Sequence, residues 1–273
     1  MLFLNCFDLL FIIYIVNYIN NKNNKNKQSR ELILDKTLLS LLAKKNINYI
    51  IIPYTINKSN LNRLLNTLDG LIFPGGQVGN FYNNKFYKAY FKIQKFVMKR
   101  AQIINSLYRP FPVLGICNGY ENMILIERNY NITKNHIKKT FINVRCYKNY
   151  KAQLFSKKYR SKGLNKTKKI IHNNLLAIDP KTNIGDYIIE ATSLDKNNKE
   201  FISIVKHKKY PFYGFQGHPE INNEELIDPF LKVVKASFSE RKSSASNSNK
   251  TYTNSKIYKN SKIKTLKLRV LNT

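Results

Sequence analysis

The sequence predicts an α/β fold: a doubly wound, mostly parallel sheet covered on both faces by helices, with a small antiparallel annex. Two observations carry this expectation. Between residues 34 and 126, short apolar runs alternate with amphipathic helical patterns, as strand–helix–strand units require. Between residues 187 and 216, three apolar stretches follow one another with no helical pattern between them.

Residues 1–19 (MLFLNCFDLLFIIYIVNYI) are strongly apolar and are interrupted by Asn5, Asp8 and Asn17. Nothing basic precedes Lys22 and no small-residue cleavage site follows, so the run departs from an ordinary signal peptide. It reads either as a targeting or anchoring segment or as a buried strand or helix. Residues 20–30 (NNKNNKNKQSR) form a polar linker. Leu34, Leu38, Leu41 and Leu42 then mark one helix face, and the run at 50–52 is a buried strand ended by Pro53. Leu61, Leu64, Leu65 and Leu68 give a second helix face, followed by a strand at Leu71–Phe73. Phe86, Tyr90, Ile93, Val97, Ala101 and Ile104 recur at helical spacing along one long amphipathic helix. A strand at Pro112–Ile116 leads into a helix through Met123 and Ile126. Tyr187–Ala191, Glu200–Lys206 and Phe212–Gln216 are the shorter strands of the annex. Residues 237–273 are rich in Ser, Asn and Lys with Glu240 their single acid, which predicts a disordered tail. The expected organisation is an apolar segment and linker over 1–30, a folded domain over 31–236 and a basic tail over 237–273.

A chain of 273 residues with 43% hydrophobic and 12% aromatic residues is long and apolar enough for a sizeable core, which excludes wholesale disorder. Three cysteines exclude a disulfide scaffold, and none is spaced with histidine as a zinc site would be. The formal charge is +31, but 38 Lys and 37 Asn together suggest the base composition of an AT-rich genome. An acidic substrate or nucleic acid would draw on the same charge, so the charge alone does not choose among them.

Three motifs at strand ends bear on chemistry. FPGGQ at 73–77 follows a strand, where paired glycines turn the backbone and offer bare N–H groups to a ligand. In PVLGICNGYEN at 112–122, Cys117 lies between Gly115 and Gly119 at a strand-to-helix turn, the form of a nucleophile elbow with Cys in place of Ser. The turn lifts the sulfur to a helix N-terminus, where the thiolate is favoured. In YPFYGFQGHPE at 210–220, His218 follows a strand and Pro219 holds it extended, so that Glu220, two residues on, shares its face and can orient the imidazole. Cys117, His218 and Glu220 thus satisfy the logic of a nucleophile, a base and an orienting carboxylate. His136 and His207 sit among lysines and read as solvated.

Together these segments resemble the gamma-glutamyl hydrolase family, within the class I glutamine-amidotransferase-like, flavodoxin-like α/β fold. LDGLIFPGG at 68–76 is similar to that family's glycine loop, GICNGYE at 115–121 to its elbow, and YPFYGFQGHPE to its histidine segment. Amidotransferase domains usually carry Gln four residues after the cysteine; Glu121 at that position is the hydrolase preference. ATSLDKNNKEFIS at 191–203 also resembles the hydrolases, and His172 falls where they have a further histidine near the substrate. The resemblance implies that Cys117 attacks a gamma-glutamyl carbonyl with His218 as base and Glu220 orienting it. It implies that backbone N–H groups of Asn118 and of the Gly75–Gly76 loop hold the oxyanion, that Glu121 and His172 grip the glutamate end, and that Gln216 supports the site. The substrate class it implies is folyl poly-gamma-glutamate, a small-molecule partner. It calls for no metal or organic cofactor and no specific nucleic acid, and it leaves a homodimer open.

Three departures stand out. The family begins with a strand that this chain supplies only if part of residues 9–16 forms it. Gly217 replaces a bulky residue before the histidine, and Asn118 replaces an apolar one after the cysteine. Sequons at Asn57, Asn131, Asn165 and Asn249 and the apolar first segment are compatible with a lysosomal, vacuolar or extracellular location. The alternatives are a glutaminase-type amidotransferase domain and a catalytically inactive basic binding protein on the same scaffold.

Overall fold

The computed structural model describes residues 12–15, 18–19, 31–32, 36–52, 56–75, 85–146, 153–155 and 169–248. In chain order the elements are β1 (Ile12–Ile15), β2 (Tyr18–Ile19), β3 (Glu31–Leu32), α1 (Lys36–Lys44), β4 (Tyr49–Ile52), α2 (Lys58–Leu65), β5 (Gly70–Phe73), α3 (Lys85–Leu107), β6 (Val113–Ile116), α4 (Asn118–Glu127) and α5 (Lys134–Lys138). There follow β7 (Phe141–Cys146), β8 (Gln153–Phe155), β9 (Lys169–Ile171), β10 (Asn174–Ile178), β11 (Tyr187–Leu194), β12 (Glu200–His207), β13 (Phe212–Phe215), α6 (Pro219–Asn222) and α7 (Asp228–Ser248).

The main sheet runs β4-β1-β5-β6-β13-β12-β10-β7, with β11 on β12. Its first five strands are parallel. From β13 onward every pairing is antiparallel. The expected doubly wound sheet is therefore present, and its antiparallel annex continues the same sheet beyond β13.

Alternation along the strands divides the core in two. Leu71, Phe73, Val113 and Phe212 face a layer that holds Leu61 and Leu65 of α2, Tyr90 and Val97 of α3, and Met123 of α4. Ile72, Leu114, Ile116 and Phe215 face the opposite layer, with Leu38, Leu41 and Leu42 of α1 and Phe230, Leu231 and Val234 of α7. Strands β5 and β6 are buried on both faces, as parallel strands sandwiched by helices must be. Each fully buried Leu, Ile or Phe contributes about 1.5–3 kcal/mol, so these two layers are the main source of stability. Asn57, the first residue of one sequon, caps α2 by accepting a hydrogen bond from the Asn60 N–H at 2.8 Å.

Two boundaries differ from the sequence expectation. The domain does not begin at residue 31, because β1 lies between β4 and β5 and pairs in parallel with both. Part of 9–16 therefore supplies the first strand, and among the described residues no helix is long and apolar enough to cross a membrane. The tail also does not begin at 237, because α7 continues to Ser248. Composition reads that stretch as unable to build a core, but Arg241 binds buried Asp69 with two hydrogen bonds, Nε to Oδ1 at 2.7 Å and an Nη to Oδ2 at 2.9 Å. Arg109 approaches the same carboxylate at 3.8 Å and donates to Ser237 of α7. Residues 1–11, 20–30 and 249–273, on which the remainder of those readings falls, lie outside the described residues.

Removing one partner of a buried ion pair leaves an uncompensated charge, so Asp69→Ala is expected to lower stability by about 3–5 kcal/mol in denaturant titration. A 31–236 fragment, which lacks β1 and Arg241, is expected to show no cooperative thermal transition. A 1–248 fragment, which keeps every described element, is expected to melt as the full chain does.

Candidate active site

Strand β6 delivers Cys117 to the N-terminus of α4 with φ 50° and ψ −114°, outside the regions a non-glycine residue ordinarily occupies. The strained turn is held by neighbours on both sides: Cys117 N donates to Phe215 O of β13 at 2.7 Å, and Glu121 N donates to Cys117 O at 3.0 Å. A side chain at Gly119 would overlap the carbonyl of Phe73, so only glycine lets α4 start this close to the end of β5. A Cβ on Gly75 would lie 3.2 Å from Cys117 Cβ and 3.0 Å from His218 Cε1, so the glycine loop approaches both residues. Gly76 lies outside the described residues.

His218 follows β13 and caps α6, with Pro219 at its first position. The segment is therefore a helical first turn rather than the extended run expected from sequence, and this turn brings the two side chains together. The His218 ring donates from Nδ1 to Glu220 Oε1 at 2.8 Å, and its backbone N–H donates to Ile171 O of β9 at 2.7 Å. The second ring nitrogen is left for Cys117: a Cβ on Gly75 would lie 3.7 Å from His218 Nε2 and 3.2 Å from Cys117 Cβ. Burial works against a proton on this ring, but the Glu220 carboxylate and, after it, the neighbouring Cys117 outweigh it. His218 accordingly holds its proton well above the usual imidazole range.

Beside this group, Glu121 is buried and burial pushes its carboxyl up to about 7, against the opposing effect of its two hydrogen bonds. Gln216 Nε2 donates to its Oε1 at 2.9 Å and Asn118 Nδ2 to its Oε2 at 3.3 Å. His172 is 1% exposed and packs edge-on to Phe201, and a Cβ on Gly217 would lie 3.0 Å from its Cε1. Burial, and after it the charge of His218, press its proton affinity down to about 3, so the ring is neutral near pH 7. Asn174 lies close enough to offset a little of this without hydrogen-bonding geometry. Both His172 nitrogens, Gln216 Oε1, Asn118 Oδ1 and Glu220 Oε2 are buried with no hydrogen-bond partner among the described residues. Buried polar atoms are normally paired, so orphans on four residues around one thiol mark a place for a polar ligand.

The structure thus brings together Cys117, His218, Glu220, Gly75, Asn118, Glu121, Gln216 and His172. Sequence reading missed a set of buried polar partners behind them: Tyr87, Gln94 and Asn122. Their one signal is a glutamine set into the apolar face of α3. His207 is not solvated as its lysine neighbours suggest; it is 2% exposed, and its Nδ1 accepts from the N–H groups of Lys209 and Tyr210 at 3.0 and 3.1 Å. His136 is half-buried, stacked on Tyr130 with centroids 4.2 Å apart. His207, Glu127 and Asp186 bring potential metal-ligand atoms within 4.8 Å of one another. Because Nδ1 accepts two N–H bonds, the neutral ring carries its proton on Nε2, 3.7 Å from Glu127. The nitrogen facing the carboxylates is thus a donor rather than a ligand.

The family model for class-I glutamine amidotransferases matches residues 33–232. Among curated proteins the chain is similar to gamma-glutamyl hydrolase 1 of Arabidopsis thaliana, 29% identical over 192 residues, covering 63% of this chain and 51% of the relative. It is also similar to gamma-glutamyl hydrolase B of Dictyostelium discoideum, 24% identical over 184 residues, covering 61% of this chain and 50% of the relative. The chain spans about half the length of the curated relatives it matches. Two solved structures share its fold. One is the glutaminase domain of Trypanosoma brucei CTPS, with TM-score 0.53 and 13% identity, covering 86% of this chain and 94% of that one. The other is a putative GMP synthase component from Thermoplasma acidophilum, with TM-score 0.51 and 18% identity, covering 88% and 98%. The elbow, the histidine segment and the matched span agree: the chain belongs to the class-I glutamine amidotransferase family, and the curated proteins it resembles there are gamma-glutamyl hydrolases.

Proposed function

We propose that the chain is a cysteine hydrolase that cleaves gamma-glutamyl bonds, with folyl poly-gamma-glutamates as its substrate class. The observation that carries this reading is the joining of an elbow cysteine to a histidine already held by a carboxylate, beside orphaned buried polar groups. The curated relatives and the Glu at position 121 favour hydrolysis over ammonia transfer.

The Cys117 sulfur attacks the gamma-carbonyl carbon and forms a tetrahedral adduct. Its oxyanion takes hydrogen bonds from the Asn118 N–H at the start of α4 and from the glycine loop. The C–N bond then breaks as His218 gives its proton to the departing amine, leaving a thioester on Cys117. Water, deprotonated by His218, adds to the thioester and releases the gamma-carboxylate and the thiolate. Glu220 keeps the ring aligned in both halves and stabilises it when charged. Glu121, neutral His172 and Gln216 take the glutamate end of the substrate. The interval between Glu127 and Asp179 holds 14 Lys and Arg and no acid, which favours a polyanionic substrate. Much of that interval lies outside the described residues.

Glutamate release from a folyl poly-gamma-glutamate, with free glutamine as control, tests this reading. Release from the polyglutamate, lowered roughly 10³-fold or more in Cys117→Ala, is the expected outcome. Ammonia from glutamine instead would assign a glutaminase domain. Silence on both from folded protein would leave a binding scaffold.

The pH profile offers a second test. The high proton affinity of His218 depends on Glu220, so in Glu220→Gln the ring loses its proton at lower pH. The alkaline limit of activity is expected to move down, with kcat reduced about 10²–10⁴-fold.

A further inference from the structure

Behind Glu121 a line of buried polar side chains runs from the site into α3. Asn118 Nδ2 donates to Tyr87 Oη at 2.7 Å, and Tyr87 donates to Asn122 Oδ1 at 2.7 Å. Asn122 donates to Gln94, whose amide donates to Tyr90 Oη at 3.1 Å. All five lie within the core, the most exposed being Tyr87 at 3%. Apolar residues could fill such positions without any cost of desolvating amides and phenols. The line keeps one direction, each group donating onward away from Glu121, so its bonds polarise one another.

We propose that Asn118 and Tyr87 are positioning residues for Glu121, fixing its carboxylate so that the glutamate end of the substrate meets it in one orientation. The proposal rests on the reading of Glu121 as a substrate-gripping group. Three elements share the task. Gln216, just beyond β13, holds Oε1; Asn118, one turn back on α4, holds Oε2; and Tyr87 of α3 keeps the Asn118 amide from turning away. Without Tyr87, no other hydrogen bond among the described residues holds the Asn118 amide in place to maintain the longer of the two carboxylate bonds, at 3.3 Å. The same bonds set the charge, since those from Gln216 and Asn118 oppose the burial that raises the carboxyl to about 7. Among the described residues, the titratable groups in electrostatic contact with Glu121 are the phenols of Tyr87 on α3 and Tyr120 on α4, both raised by burial and neutral at working pH.

The test uses the full chain as wild type, Tyr87→Phe and Asn118→Leu, with three readouts. Tyr87→Phe, which removes one oxygen, is expected to raise KM for the gamma-glutamyl substrate roughly three- to tenfold, the value of one hydrogen bond, with kcat within about twofold. Asn118→Leu is expected to raise KM more strongly. In both, the pH midpoint of the Glu121 carboxyl, followed by its ¹³C resonance, moves up; in Tyr87→Phe, alkylation of Cys117 by iodoacetamide keeps its wild-type rate. An unchanged Glu121 midpoint in both variants overturns the proposal, as does alkylation that slows in Tyr87→Phe in step with the rise in KM, because that would mean general loosening. If the wild type turns over no gamma-glutamyl substrate, the functional reading fails by itself, and the carboxyl titration still decides whether Tyr87 and Asn118 position Glu121.

Discussion

The parallel, in-register pairing of β6 with β13 is the constraint on which the rest depends. Val113 lies beside Phe212, Leu114 beside Tyr213, Gly115 beside Gly214 and Ile116 beside Phe215, so both strands end at the same level of the sheet. Whatever follows them must emerge side by side. Cys117 follows one and the 216–218 segment follows the other, and the bond from Cys117 N to Phe215 O extends the ladder into the elbow itself. A slip of one residue would turn every side chain of β13 to the opposite face. It would also carry His218 away from the thiol. The alternation that assigns Phe212 and Phe215 to opposite core layers is therefore also what registers the chemistry.

That registration leaves a concentrated polar region inside an apolar frame. Glu121, Gln216, His172 and Glu220 are each buried to 3% exposure or less. Polar groups in such surroundings stabilise the fold only if they are bonded, and three of these keep one or both polar atoms without a hydrogen-bond partner among the described residues. The two apolar layers supply stability that the site itself does not. The Asp69–Arg241–Arg109 cluster fastens α7, and with it one of those layers, to the start of β5.

Much of this was readable because its signals are local. The apolar periods of α1 to α4 and the runs of β4, β5 and β6 lie within a few residues of one another, and Gly115 and Gly119 bracket Cys117 in plain view. What escaped the sequence reading is non-local. Ile12–Ile15 is four residues within an apolar run that sequence leaves open between a targeting segment and the first strand, because such a run shows no period to read. The last turns of α7 look like a polar tail until Arg241 meets Asp69, 172 positions away. Strands β7 and β10 lie in Lys- and Asn-rich sequence with irregular burial patterns. The line from Asn118 to Tyr90 joins two helices, and no spacing within either one announces it. His207 has lysines for sequence neighbours, yet it points inward among the rings of Tyr187, Tyr210 and Phe212.

The strand order also has a bearing on how the protein is made. The strands that flank the thiol on one side, β1, β4 and β5, all precede it in the chain, whereas β13, α6 and α7 come about a hundred residues later. A ribosome therefore releases the cysteine well before its histidine partner and before the arginine that seals the far layer. Until that last quarter emerges, Cys117 has neither His218 beside it nor the phenylalanine carbonyl that holds its turn. The surroundings of Cys117 are complete only once β13 and α6 have followed, so an incomplete nascent chain carries that cysteine without its neighbours.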